Sequence, residues 1–152
     1  MASQSRPARD PGDMLGYLVK HAQRRLSAMA DAALEPLGID RAEFGVLWVL
    51  SRSEPLSQQG IAANAGVDPT TMVALIDALE AKGMLTRRPD PTDRRRNLVE
   101  LTAAGQATCR KADEAHTSAE EQFLAPLSGA QATQFRRTLR ALLELDAAPG
   151  PN

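Results

Sequence analysis

Four consecutive residues, Gly66, Val67, Asp68 and Pro69, constrain this chain more than any others. An aspartate can cap a helix N-terminus by accepting from first-turn N–H groups. A proline suits the first helical position, where its missing N–H has no intrahelical partner. Behind them Met72, Leu75, Ile76 and Leu79 recur at i, i+3, i+4 and i+7, so the spacing predicts a helix that closes at Gly83. Ahead of them "SQQGIAANA" predicts a short helix capped by Ser57 and stopped by Gly66. Two short helices about a glycine turn form a helix-turn-helix layout, which suits the second helix to the major groove of DNA.

The residues after Gly83 strengthen that reading. "MLTRR" and "NLVEL" predict two short strands, with Val99 and Leu101 sharing a face. The loop between them gathers Arg94, Arg95 and Arg96 close to Arg87 and Arg88, in a chain whose formal net charge is only -1. Taken alone, such a cluster is a solvated turn with Asp–Arg pairs, each contributing ~0–1 kcal/mol. Behind a helix-turn-helix, a hairpin is a wing that reaches from the major groove to the adjacent minor groove. A narrow minor groove has enhanced negative potential and favours an inserted arginine.

The flanks are helical. Residues 13–38 place Leu15, Leu18, Val19, Ala22, Leu26, Met29 and Leu34 at helical spacing. "DRAE" reads as a capping box, Asp40 with Glu43, opening a helix that turns Phe44, Leu47, Trp48 and Leu50 inward and is broken by Pro55. Thr102 caps an alanine-rich fifth helix, and Ser128 with Gln131 boxes the start of a sixth, whose Phe135, Leu139, Leu142 and Leu143 form one seam. The expected order is four helices, a two-stranded hairpin and two helices: a mainly α fold with a small β-hairpin wing. The flanking helices carry more apolar face than one small unit can cover, which predicts dimerisation; the alternative is that they pack only on each other within one chain. "SRPARDPG" and "AAPGPN" predict disordered tails at 1–12 and 147–152 around one domain, 13–146.

Several functional classes are not supported. Cys109 is the only cysteine, so neither an intramolecular disulfide nor a cysteine-based metal site is expected. His21 and His116 are far apart in sequence, and no metal is predicted. There is no Gly-rich phosphate loop, nucleophile elbow or metal motif, so neither an enzyme nor a cofactor is expected. "MASQSRPARDPGD" lacks the apolar core of a signal peptide, and "VLWVL" is too short to span a membrane, so a cytoplasmic protein is expected.

The run "GVDPTTMVALIDALEAKGMLTRRPDPTDRRRNLVELTAAG" resembles the MarR family of multiple-antibiotic-resistance-type transcriptional regulators. The likeness rests on the segment from Arg88 through "PDPTDRR" to "LVELTAAG", and the helix order extends it over about residues 13–146. The resemblance implies a homodimer joined through helices at 13–38 and 102–146, with winged lobes at 39–101 on a pseudo-palindromic operator in double-stranded DNA. It implies that Asp93 orients Arg95 for the minor groove, with Arg94 and Arg96 on phosphate or on Asp90. Arg87 and Arg88 are expected to meet phosphate or acidic neighbours. On the recognition helix, Asp68 and Pro69 lead a face of Thr70, Thr71, Val73, Ala74 and Asp77. This face departs from the family pattern, since no Arg or Lys occurs before Lys82. Ser57 and Gln58 are candidate contacts to the DNA backbone.

The resemblance further implies a small aromatic or lipophilic inducer held near the dimerisation helices, with Tyr17, His21, Phe44 and Trp48 as candidate lining residues. Cys109 reads as a small buried residue at a helix interface, with a redox sensor as the alternative. The competing functional reading is a winged-helix dimerisation or protein-interaction module that does not bind DNA.

Overall fold

The computed structural model describes residues 10–145. The expected tails lie outside these residues except at 10–12, where Pro11–Asp13 form a 3-10 turn. Six helices and three strands make up the remainder: α1 (Leu15–Leu34), α2 (Arg41–Ser51), β1 (Leu56–Ser57), α3 (Gln58–Ala65), α4 (Pro69–Ala81), β2 (Leu85–Pro89), β3 (Asn97–Leu101), α5 (Ala103–Leu124) and α6 (Gly129–Leu142).

The local signals act as their chemistry requires. Asp68 Oδ1 accepts from the Thr71 N–H at 3.0 Å, and Pro69 opens α4. Gly66 ends α3 at φ 64°, the left-handed region where a Cβ is disfavoured, and so sets the tight turn into α4. At the start of α2 the reciprocal capping box forms: the Glu43 N–H donates to Asp40 at 2.8 Å, and the Asp40 N–H donates back to Glu43 at 3.0 Å.

Two expectations about extent are corrected. The first helix stops at Leu34 instead of running to Gly38. Pro36, which lacks an N–H, lies in a separate 3-10 turn, Glu35–Leu37. The hairpin is part of a three-stranded antiparallel sheet in the order β1-β3-β2. Leu56 pairs with Val99 and Ser57 with Leu98, while β2 pairs with β3 from Leu85–Leu101 to Pro89–Asn97. Ser57 ends this added strand and also caps α3, its hydroxyl accepting from the Gly60 N–H at 3.1 Å.

The core lies where α2, α3, α4 and the sheet converge. Leu34, Leu47, Ile61, Met72, Ile76, Leu79 and Val99 are completely buried. Each such side chain contributes roughly 1.5–3 kcal/mol relative to exposure. Cys109 and Ala112 close the core from α5, and their small size lets that helix come near. The approach is closest at Gly105, where a Cβ would lie 2.0 Å from the Met84 carbonyl oxygen. Thr102 fixes this junction: its N–H donates to Met84 O at 3.1 Å and its hydroxyl to Gly83 O at 2.6 Å.

One buried charge ties the lobe together. Glu43 is 5% exposed, and Lys82, at the C-cap of α4, donates to both its carboxylate oxygens at 2.6 and 2.8 Å and to Gly38 O at 2.8 Å. Multiple hydrogen bonds of this kind are what make a buried carboxylate tolerable. The outer helices are less complete. No residue of α6 is buried, and Leu15 and Leu142 are each 73% exposed.

Candidate nucleic-acid interface

The outward face of α4 is the one expected: Thr70, Thr71, Val73, Ala74 and Asp77 are all exposed. The two threonines differ, however. Thr71's hydroxyl donates to Asp68 Oδ2 at 2.5 Å, so it presents a methyl group and an acceptor, while the exposed Thr70 hydroxyl has no side-chain partner among the described residues. That bond, with the Thr71 N–H, holds the Asp68 carboxyl below its ordinary pKa.

The wing divides its arginines into two classes. Arg87 is bound by acidic neighbours: its terminal nitrogens donate to Asp77 and Glu80, and its Nε donates to Gln58 Oε1 at 3.2 Å. Burial opposes its charge, but Asp77 and Glu80 outweigh burial and leave its pKa raised. Arg88 donates to Glu100 across the β2–β3 pair at 3.1 Å. Arg94, Arg95 and Arg96 are exposed at the tip and form no ion pair among the described residues.

The tip that carries them is held by its own short polar side chains. Asp93 Oδ1 accepts from the Arg95 N–H at 3.0 Å, and Asp93 O from the Arg96 N–H at 2.9 Å. Asp93 therefore acts on the backbone of Arg95. Asp90 accepts from the Thr92 N–H at 2.8 Å and hydroxyl at 2.7 Å, and those bonds lower its pKa. The Asp90 N–H closes the loop on Arg96 O at 2.9 Å. Asn and Asp commonly build turns in this way. Between the tip and the start of α3 lies a cleft of about 430 Å³ lined by Ser57, Gln58, Gln59, Arg95, Arg96 and Asn97. It brings the two expected backbone contacts beside the wing.

The four residues expected around an inducer do not converge. Tyr17 and His21 stack on each other on exposed α1 with ring centroids 4.0 Å apart. Phe44 is buried against His116, 5.4 Å between centroids. Trp48, expected inward, is 40% exposed, with the Arg52 guanidinium 4.1 Å over its ring. Leu47 and Leu50 take the core-facing side of this turn of α2, and Trp48 stands instead at the rim of another cavity. That cavity, about 470 Å³, lies between the end of α2, β3 and α5, with Ser51, Arg52, Glu100, Cys109 and Arg110 among its lining. Burial pushes the Cys109 thiol pKa up, which opposes thiolate reactivity.

Known proteins match this architecture. The sequence pattern of the MarR family matches residues 37–96. The HTH-type transcriptional repressor Rv2887 of Mycobacterium tuberculosis is 34% identical over 128 residues, covering 84% of this chain and 92% of the relative. Its crystal structure in complex with DNA superposes with a TM-score of 0.73 at 33% identity, covering 85% of this chain and 97% of that one. CouR from Rhodococcus jostii, bound to p-coumaroyl-CoA, gives a TM-score of 0.74 at 28% identity, covering 89% and 95%. Among the described residues no helix is long and apolar enough to cross a membrane. With this fold and this extent of likeness, the chain belongs to the MarR family of winged helix-turn-helix, DNA-binding transcriptional regulators.

Proposed function

We propose that this chain is a cytoplasmic, non-enzymatic repressor that binds a pseudo-palindromic operator as a homodimer and is released by a small aromatic or lipophilic ligand. The observation that carries the reading is the set of three exposed arginines, none in a close ion pair among the described residues, on a wing tip fixed by its own hydrogen bonds. A tip held by its own hydrogen bonds supports insertion of Arg95 into a narrow minor groove, since little loop entropy is left to lose. Arg94 and Arg96 then lie over phosphate. Residues 39–101 form the reading lobe, and the helices at 13–38 and 102–146 join the protomers, setting the recognition helices ~34–36 Å apart for successive major grooves.

In the major groove Thr70 supplies a donor, while Val73, Ala74 and the Thr71 methyl supply apolar contact suited to thymine methyl groups. Asp68 and Pro69 fix the start of that face, and Ser57 and Gln58 meet the DNA backbone. With no long basic side chain on this face, specificity leans on the wing and on DNA shape. The cavity beside Trp48 is the candidate ligand site within one protomer. It touches both wing strand β3 and helix α5, so its occupant meets the reading lobe and the joining helices together.

Fluorescence anisotropy with the DNA flanking the protein's own gene, against a shuffled duplex at two salt concentrations, tests the reading. Preferential, salt-sensitive binding is expected. Arg95→Ala should weaken it and reduce the log–log salt slope by about 0.9 for each phosphate-neutralising charge lost. Absence of binding even at low salt would favour the protein-interaction alternative.

A further inference from the structure

Arg87 stands apart from the other wing arginines because of what it touches. Recognition helix α4 and its cap carry three carboxylates, Asp68, Asp77 and Glu80. Its nearest lysine, Lys82, is bound to Glu43 and the Gly38 carbonyl. Asp77 shares the exposed face with Thr70, Val73 and Ala74, and its side chain is 59% exposed. A helix entering the groove of a polyanion with bare carboxylates along its wing side is repelled.

Arg87 reaches across from β2 to both carboxylates, with its own side chain only 21% exposed. Its third nitrogen holds Gln58 by the oxygen end of the amide, since only that end can accept. The amide N–H groups of Gln58 are thereby left for the cleft that it lines with Arg95 and Arg96. Each of the three guanidinium nitrogens has a protein partner, a planar fork that lysine cannot reproduce.

We propose that Arg87 is a positioning residue for DNA binding and not a phosphate contact: it pairs with Asp77 and Glu80 on the groove-facing helix, offsetting one of their two charges, and presents the Gln58 amide to the DNA backbone. The proposal rests on the DNA-binding reading above. Its distinguishing consequence is a coupling. With Arg87 present each carboxylate is held in an ion pair and one of their two charges is offset, so removing them gains less than it does without Arg87. Without Arg87 they repel DNA, and removing them restores binding.

The test is a cycle of four full-length proteins: wild type, R87Q, D77N/E80Q and the triple variant. Each is titrated by anisotropy across a salt series, on a duplex that the wild type selects from a random-sequence pool. R87Q is expected to bind roughly tenfold more weakly, D77N/E80Q to gain at most about twofold, and removal of the same carboxylates to gain far more in the R87Q background, so that the triple variant recovers most of the loss, as groups in one network couple. If Arg87 contacts phosphate directly, the result reverses. D77N/E80Q alone then frees the guanidinium, tightens binding and steepens the salt slope by about 0.9 per protomer, with no selective rescue in the triple variant. That outcome overturns the proposal.

Should R87Q lose its cooperative melt, R87K carries the cycle. It keeps the charge without the fork, and a smaller loss with the same rescue is expected. A wild type that binds no duplex at low salt overturns the DNA-binding reading and this assignment together. A wild type that binds without rescue overturns this assignment alone.

Discussion

The reading lobe and the outer helices of this protein solve their hydrophobic problem differently. In the lobe, α2, α3, α4 and the sheet enclose Leu47, Ile61, Met72, Ile76, Leu79 and Val99 within one chain. In α6 the apolar seam has no such enclosure: Phe135 and Leu139 are 38% and 39% exposed, and Leu142 is 73% exposed. Both helix types carry proper caps, Asp68 on α4 and the Ser128–Gln131 box on α6. Capping therefore settles where a helix forms, while burial settles whether its face is finished. The lobe is finished by its own chain; in the proposed dimer the outer helices are finished by a second copy.

The comparison can be broken from either side. The largest effect is expected from Leu139→Glu/Leu142→Glu, which puts two charges on the unfinished seam. The protein should run as a monomer in analytical ultracentrifugation and bind operator roughly 10²–10⁴-fold more weakly, because the second lobe no longer benefits from tethering. A dimer that retains its affinity would show that the seam packs elsewhere. The lobe itself should keep its cooperative melt.

Gly105→Ala attacks the other region. Its methyl group must displace the Met84 backbone, so a loss of about 1–3 kcal/mol is expected in urea unfolding. The dimer should persist at concentrations where the fold does. The smallest effect concerns Cys109, which is 4% exposed in the lobe core. Burial raises its folded pKa, so the folded state holds the thiol proton more tightly. Any stability from this is fully present below the unfolded pKa and declines as pH rises through and above it. Native protein should react with a thiol reagent at pH 8 far more slowly than unfolded protein. Equal rates would place the thiol at the surface.

Sequence carried the parts of this fold that depend on neighbours. Asp68 with Pro69, Gly66 and the capping boxes at Asp40 and Ser128 act over a few residues, and each forms as its residue types require. The added strand β1 was not legible, because two residues have no period and their partners, Leu98 and Val99, lie more than forty positions away. The Glu43–Lys82 pair was hidden for the same reason: thirty-nine residues separate partners that only the folded chain brings together. For the wing, the concentration of arginine was visible, but not its division. Which arginines meet Asp77, Glu80 and Glu100, and which stay free, depends on strand register and on the side of α4 facing β2. The expected ligand residues lie apart within one protomer, Tyr17 and His21 on exposed α1 and Phe44 in the core, because helical spacing says which residues share a stripe and not which stripes meet.

Lys82 has a mechanical consequence. It joins the last turn of α4 to the Gly38 corner and to the first turn of α2, two places just beyond the end of α1. The recognition helix is thus bolted at its C-terminal end to the corner between α1 and α2. Such a connection resists bending within the lobe and transmits rotation, as a lever does. In the proposed dimer, a rotation where the protomers meet would be carried through this bolt to the far end of α4, with the length of the helix as its arm.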